Sequence, residues 1–434
     1  MTEIGVGIIG FGTVGAGVAE GLLRNRTIIR ERTGIDVLLR RIADIDITTD
    51  RGIKVDNSIL TTDAASVIAA PDIQIIVELI GGTGIAKKFI CDALNAGKSV
   101  VTANKKLLAE YGEEIFNLAE KNSADVFFGA SVGGGIPIIR SLRDGLAGNN
   151  VESIYAILNG TCNYILTRME KEGLSFDTVL KSAQELGFAE ADPALDVDGF
   201  DTLHKAAILS SLAFGFFPDV HSLHVEGIRN AVEGADIKFA VELGYRIKLL
   251  AIIKNTDGRT EIRVTPALVP LDNMLASVSD VFNAAMIKGD LTGKTLYYGR
   301  GAGRFPTAST VIGDIIDIAK NIAANTSRKT IISKTSAQVV IKPFDDIIAR
   351  HYVRLFVADK PGSLAAVSSI FSKHGVSISA ALQKDIPDET GDTESATIII
   401  LTHSAKQSNI NSALAEIEQH ECCCEKPRRL EIID

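Results

Sequence analysis

Between Leu186 and Leu209 the chain reads LGFAEADPALDVDGFDTLHKAAIL, and five carboxylates, Glu190, Asp192, Asp196, Asp198 and Asp201, crowd its first two-thirds. Anionic groups at this density suit the cationic head of a small ligand, although a solvated acidic loop reads the same way. One amine follows them, Lys205, four residues after Asp201. That interval sets both on one face of a helix, where the pair alone is a brace worth about 0.2–0.5 kcal/mol. A lysine beside such a loop could also exchange a proton with a bound ligand. Pro193 and Gly199 break any early helix, so Glu190 to Asp198 is read as a loop. From Gly199 the spacing of Leu203, Ala207 and Leu209–Leu212 predicts a helix.

What could position these groups begins at the N-terminus. The apolar run Ile4–Ile9 leads into Gly10-Phe-Gly12-Thr-Val-Gly15, followed by the helical stretch Ala16–Leu23. This is GxGxxG in the setting it requires, with a strand before and a helix after. Gly10 permits the turn, Gly12 lets a pyrophosphate approach, and Gly15 lets the helix pack closely on the strand. A second strand, Asp36–Ala43, ends at Asp44, with Arg30–Gly34 before it read as an extended turn. An acid there bonds ribose hydroxyls and repels a 2′-phosphate, which favours NAD; Arg40 and Arg41 nearby keep NADP open. Three further strands, Asp72–Ile80, Ser99–Thr102 and Asp125–Phe128, alternate with helices Ala86–Ala96 and Leu107–Lys121. That alternation predicts an α/β fold with a doubly wound parallel sheet. Ligands bind beyond the carboxyl ends of such strands, where Gly81, Thr102, Lys105 and Ser131 fall.

After Val151 the pattern changes. A strand Val151–Leu158, helices Cys162–Lys171 and Ser175–Leu186, and strands His224–Ile228, Lys248–Lys254, Glu261–Val269 and Val278–Ile287 suggest an α+β domain over 151–299. Tyr298–Thr310 is read as a glycine-rich loop, with Gly301 and Gly303 near the cofactor, feeding a helix Ala308–Ala324 that returns to the nucleotide domain. The nucleotide domain is thus 1–150 completed by 300–325, and 326–346 reads as a linker. Residues 347–434 follow a βαββα order with a last strand at Arg428–Ile433, a ferredoxin-like sandwich.

A net charge of −9 without a basic cluster argues against a nucleic-acid partner. No apolar run approaches the roughly 20 residues that cross a bilayer, so no membrane is expected. MTEIGVGIIGFGTVG has no basic leader. Five cysteines, three of them consecutive at Cys422–Cys424, make neither a disulfide framework nor a zinc site, and a reducing cytoplasm fits them.

Taken together, GFGTVG, VTANK, ASVGGGIPII, NGTCNYIL and AEADPALDVDGFDTLHK resemble the homoserine dehydrogenase family over about residues 4–325, and DKPGSLAAVSSIFSKHGVSI resembles an ACT domain. The resemblance implies NAD or NADP as cofactor and interconversion of homoserine with aspartate 4-semialdehyde, on the route to threonine and methionine. It gives Lys205 the hydroxyl proton, places Lys105 beside the reacting carbon and the nicotinamide, and has Asp201 support the lysine end of the site. Glu190 and Asp196 hold the substrate ammonium, with Gly160 and Thr161 beside them, while Phe11, Thr13 and Val14 run along the pyrophosphate. The carbonyls of Val132, Gly134 and Ile136 resemble the family's sodium site, yet Gly129 stands where the family usually has a glutamate. The resemblance also implies a homodimer or homotetramer, with ACT modules paired and an amino-acid effector, threonine, near Asp359–Leu364.

Two other readings remain open on residues alone. A thioester-forming semialdehyde dehydrogenase needs a cysteine nucleophile, and Cys162 is its candidate. A non-catalytic amino-acid sensor would make the C-terminal module the working part. His204, His221 and His224 read as packing or surface residues.

Overall fold

The computed structural model describes all residues except 1, 257, 327–331, 333–338, 385–394 and 434. The chain forms two compact units, Met1–Ile154 with Leu203–Ser222 and Phe282–Val339, and Tyr155–Thr202 with Leu223–Val281 and Val340–Asp434.

In the first unit six parallel strands make one sheet: β1 (Thr2–Ile9), β2 (Ile35–Ala43), β3 (Leu60–Thr61), β4 (Ile75–Glu78), β5 (Ser99–Thr102) and β6 (Val126–Phe127). Their order, β3-β2-β1-β4-β5-β6, reverses between β1 and β4, the crevice where doubly wound sheets take a ligand. Successive side chains serve opposite faces. Ile8, Val77 and Val101 pack with Val311, Ile315 and Ile318 of the returning helix Arg304–Ala323. Ile9, Ile76 and Val100 pack with Ile90, Leu94, Leu107 and Ile115 on the other face. Burial on both faces is why these strands read as continuous apolar runs.

In the second unit Tyr245–Thr256 and Arg259–Pro270 form a long antiparallel pair. The C-terminal module follows the expected order: strand Ile348–Ala358, helix Ser363–Lys373, strands Ile378–Lys384 and Ser395–Thr402, helix Gln407–Glu418, strand Arg428–Ile432. Its last strand has two partners. It runs antiparallel to Ile348–Ala358 and parallel to Arg259–Pro270, with Ala267 opposite Glu431. One sheet therefore continues from that antiparallel pair into the module. A buried ion cluster fixes the join: Arg263 (0% exposed) donates to both Glu431 carboxylate oxygens, at 2.9 and 2.5 Å, and to Glu261 at 3.0 Å.

Several elements differ from the sequence reading. Arg30–Gly34 is no extended turn but the end of a helix, Arg26–Thr33, stopped by Gly34 at φ +73°. That helix buries only Ile29, so it lacks the apolar stripe by which helices are found. A four-residue helix, Ala194–Val197, sits inside the acidic loop. The strand expected at His224–Ile228 shortens to His224–Val225, and a helix, Gly234–Glu242, follows. The strand expected at Val278–Ile287 lies at Phe282–Gly289, in a hairpin with Gly293–Arg300 that takes the start of the expected glycine-rich loop. Most of the expected linker lies outside the described residues. No helix among the described residues is long and apolar enough to cross a membrane.

Candidate active site

At the end of β1 the turn excludes side chains. A Cβ on Gly10 would lie 2.7 Å from the Leu79 carbonyl carbon, and one on Gly15 would lie 2.0 Å from the Gly10 carbonyl oxygen. Gly12 is the opposite case, with nothing within 4 Å of where its Cβ would stand. That open side lies at the N-terminus of Thr13–Arg24, whose first amides have no acceptor within the helix, so a pyrophosphate fits there. Thr13 is exposed and Val14 half-buried. Phe11 is placed otherwise than the resemblance implies: its ring joins the core and its amide is donated to Asp44. The other Asp44 oxygen accepts the Asp46 amide at 2.9 Å. Arg40 is engaged with Glu3 and Asp72.

Beyond β4 and β5 lies a network that the sequence did not single out. Glu78 is fully buried and accepts the Thr102 hydroxyl at 2.7 Å and the Ile80 and Gly81 amides at 2.9 and 3.2 Å. Burial pushes its carboxyl above the usual range, and these donors oppose the shift. Thr102 in turn accepts the Asn104 amide, and the Asn104 side chain donates to the Gly82 carbonyl at 2.7 Å while capping the helix Lys105–Lys121. Lys105 is the first residue of that helix, so its place depends on Glu78. Ser131 is buried with its hydroxyl donated to the Phe128 carbonyl. Gly303, at φ +124°, is the exposed N-cap of Arg304–Ala323.

In the second unit Asn159 gathers the acids. It caps the helix Gly160–Glu172 through Cys162 N–H at 2.8 Å, and its amide nitrogen donates to Asp196 at 2.7 Å and to Asp201 at 2.9 Å. Two carboxylates 37 and 42 residues downstream thus share one donor. Thr161 donates to the Phe188 carbonyl at 2.7 Å, and the Glu190 carbonyl accepts from Gln184 at 3.0 Å, leaving the Glu190 side chain exposed. A Cβ on Gly160 would lie 2.9 Å from the Val281 carbonyl oxygen. The helix Phe200–Phe214 begins at these acids. Along it Asp201 and Lys205 are 6% and 9% exposed, among fully buried Thr202, Ala206 and Leu209.

Family profiles described as "Homoserine dehydrogenase, NAD binding domain", "Homoserine dehydrogenase" and "ACT domain" match residues 10–129, 137–316 and 351–422. A homoserine dehydrogenase of Neisseria gonorrhoeae is 45% identical over 98% of both chains. The chain belongs to the homoserine dehydrogenase family. The crystal structure of a homoserine dehydrogenase from Thiobacillus denitrificans superposes with a TM-score of 0.94, at 40% identity over 100% of this chain and 99% of that one. A hyperthermophilic archaeal homoserine dehydrogenase in complex with NADPH matches with a TM-score of 0.62, at 30% identity over 73% of this chain and 98% of that one.

A homoserine dehydrogenase is an NAD(P)-dependent oxidoreductase, and that decides between the readings left open. The thioester route has no nucleophile here, because Cys162 is fully buried with its thiol donated to the Asp196 carbonyl at 3.2 Å. Among the described residues no group of three or more His, Cys, Asp or Glu could hold a metal. His224 stacks on Phe344, and burial brings its pKa down to about 4.

Two of the three carbonyls that resemble the family's sodium site already accept hydrogen bonds. The Gly134 carbonyl accepts the Thr310 hydroxyl at 2.7 Å and the Ile136 carbonyl accepts the Ile138 amide at 2.8 Å. Val132 is fully buried. Gly129 donates its amide to Asp314 at 2.7 Å, and a Cβ there would lie 2.9 Å from that carboxylate. Burial pushes the Asp314 pKa up to about 7, with the Gly129 amide and Arg143 opposing the shift. The folded state therefore holds this proton longer than the unfolded one. Its contribution to stability is complete below pH ~4 and is lost as pH rises through ~7. Asp314→Asn keeps an acceptor for Gly129 and removes the titration. It is expected to gain stability over the parent at pH 8 relative to pH 5, by on the order of a few kcal/mol, in urea unfolding at the two pH values.

Proposed function

We propose that the chain oxidises L-homoserine to L-aspartate 4-semialdehyde, and reduces it back, with the roles divided as follows. Lys205 takes the hydroxyl proton of homoserine and returns it to the developing alkoxide in reduction. Asp201, one turn away and held by Asn159, orients that amine. Glu190 and Asp196 bind the substrate ammonium through charge-assisted hydrogen bonds, about twice as strong as neutral ones. Lys105 stands beside the reacting carbon, placed by the Glu78–Thr102–Asn104 network. NAD(P), when bound along Gly10–Gly15, supplies the hydride acceptor or donor. The observation that carries this reading is the Asn159 bridge, which sets Asp196 and Asp201 together at the foot of the helix bearing the enclosed Lys205. Homoserine-dependent reduction of NAD or NADP by the purified full chain tests it directly. Absence of turnover with both coenzymes sinks it.

NAD is the proposed coenzyme, because Asp44 places a carboxylate at the end of β2 where a 2′-phosphate would have to sit. Asp44→Ser is expected to relax discrimination against NADP by about tenfold or more in kcat/KM, an electrostatic effect of over ~1.4 kcal/mol. Equal use of both coenzymes by the parent chain would count against it. Catalysis needs no sodium on this reading. Replacing sodium chloride by choline chloride at equal ionic strength is expected to leave kcat within about twofold, equivalent to under ~0.5 kcal/mol. The ACT modules pair between subunits of a homodimer or homotetramer in the cytoplasm, and threonine binding near Asp359–Leu364 lowers activity. Assays with and without threonine test that regulation.

A further inference from the structure

A cavity of about 700 Å³ lies wholly within the second unit and is used by none of the roles above. Its walls come from Asp198 and Phe200, from the segment around Glu226 and Arg229, and from the C-terminal run Lys426-Pro427-Arg428-Arg429. A space of a few hundred to about 1,000 Å³ is that of a small-molecule site. Four cations, Arg229, Lys426, Arg428 and Arg429, face two carboxylates, Asp198 and Glu226, so the lining carries two surplus positive charges. Arg229 pairs with Asp198 at 3.0 Å, Arg429 with Glu226 at 3.3 Å, and Arg428 with Glu233 and the Asn230 carbonyl. Lys426 is exposed and makes no ion pair among the described residues. A ligand recognised by this array has an ammonium for the two carboxylates and more than one anionic group for the cations.

We infer that this cavity binds an α-amino acid bearing a second anionic group, and that its occupancy acts on the acidic loop. Its route to that loop is short. Gly227 packs so closely on the loop that a Cβ there would lie 2.1 Å from the Val197 carbonyl oxygen, and the Ile228 amide donates to that oxygen at 2.8 Å. Asp196, assigned to the substrate, immediately precedes Val197. At the other wall, Arg428 and Arg429 head the strand that joins the ACT module to Arg259–Pro270. Such a ligand competes for Arg229 and Arg429 with Asp198 and Glu226, and so changes what holds the loop. The effect on homoserine rests on the assignment of Asp196; the binding itself does not.

Calorimetric titration of the full chain with L-aspartate, L-glutamate and O-phospho-L-serine tests the binding, with L-threonine and inorganic phosphate for comparison. At least one acidic amino acid is expected to bind once per chain, and Lys426→Glu is expected to weaken it by about tenfold or more with kcat little changed. The same ligand is expected to change the KM for homoserine in the parent chain and not in Lys426→Glu. Three results overturn the site: no binding by any acidic amino acid, binding undiminished in both Lys426→Glu and Arg229→Ala, or phosphate binding as tightly as the amino acids. Calorimetric binding without a change in KM removes the action on the loop, and a kcat and KM unaltered in Asp196→Asn would separately remove the substrate role of Asp196.

Discussion

Lys205→Ala is expected to lower kcat by roughly 10²–10⁴-fold while leaving the KM for homoserine nearly unchanged, the range general acid–base catalysis contributes. The side chain is 9% exposed on a helix whose neighbouring positions are filled by apolar and small residues. Its removal therefore also leaves a small void, and a fall in activity alone would not separate chemistry from packing. Lys205→Met makes that separation, since it restores the apolar stem without an amine, and Lys205→Arg keeps a charge that does not release its proton near neutral pH. On the proposed roles neither variant recovers kcat, although Lys205→Met melts close to the parent. Glu190→Ala is the counterpart: its carboxylate is exposed and offered to the substrate, so its loss is expected mainly in KM. A Lys205→Ala enzyme with near-parental kcat, by steady-state kinetics in both directions, would remove the mechanism.

The largest expected loss of stability is at Arg263. Its guanidinium is completely buried and spends its donors on Glu431 and Glu261. Truncation to alanine strips Glu431, 6% exposed at the side chain, of its guanidinium and leaves Glu261 with Lys342 alone, and breaking such a cluster costs about 3–5 kcal/mol. Across a unit of this size that is roughly 10 °C in Tm, since each kcal/mol is worth ~2–4 °C. Arg263→Lys recovers little, because one ammonium cannot reproduce the two parallel bonds to Glu431. Arg263→Met combined with Glu431→Leu is expected to recover most of the loss, since both members of the buried pair are removed together and Glu261 keeps Lys342. Scanning calorimetry of the three variants checks the order. A Tm for Arg263→Ala within ~2 °C of the parent would show that the cluster holds nothing together.

Local signals in the sequence were enough for the nucleotide cradle and far less so for what surrounds it. GFGTVG announces itself because each glycine answers a demand made within a few residues: a turn, an open approach, a close packing. The acidic loop and Lys205 were legible for a similar reason, since a helix places residues four apart together. Glu78 was invisible inside DIQIIVELI because its partners, Thr102 and Asn104, lie on a neighbouring strand and beyond it. Asn159 stands between a strand and a helix with nothing local to mark it, and its bridging of Asp196 and Asp201 exists only once the chain has folded back. Phe11 misled in the other direction. It lies within the glycine motif, but the fold gives its ring to the core and its amide to Asp44. Gly129 marked a departure from the family pattern, and its reason became physical only with Asp314 occupying the space a side chain would need.

The strand at Arg428–Ile432 has a consequence for synthesis of the protein. Arg263 leaves the ribosome 168 residues before Glu431, the acid it grips through two bonds, and Ala267 and Leu268 wait about as long for their parallel neighbours. At bacterial or eukaryotic elongation rates of about 5–20 residues per second, that delay is roughly ten to thirty seconds. Throughout it the nascent chain leaves that end of the strand without its neighbour and the guanidinium with Glu261 alone. Stalled products that end before Arg428–Ile432 are therefore those a chaperone would need to shield, because they lack the stitch that closes the fold.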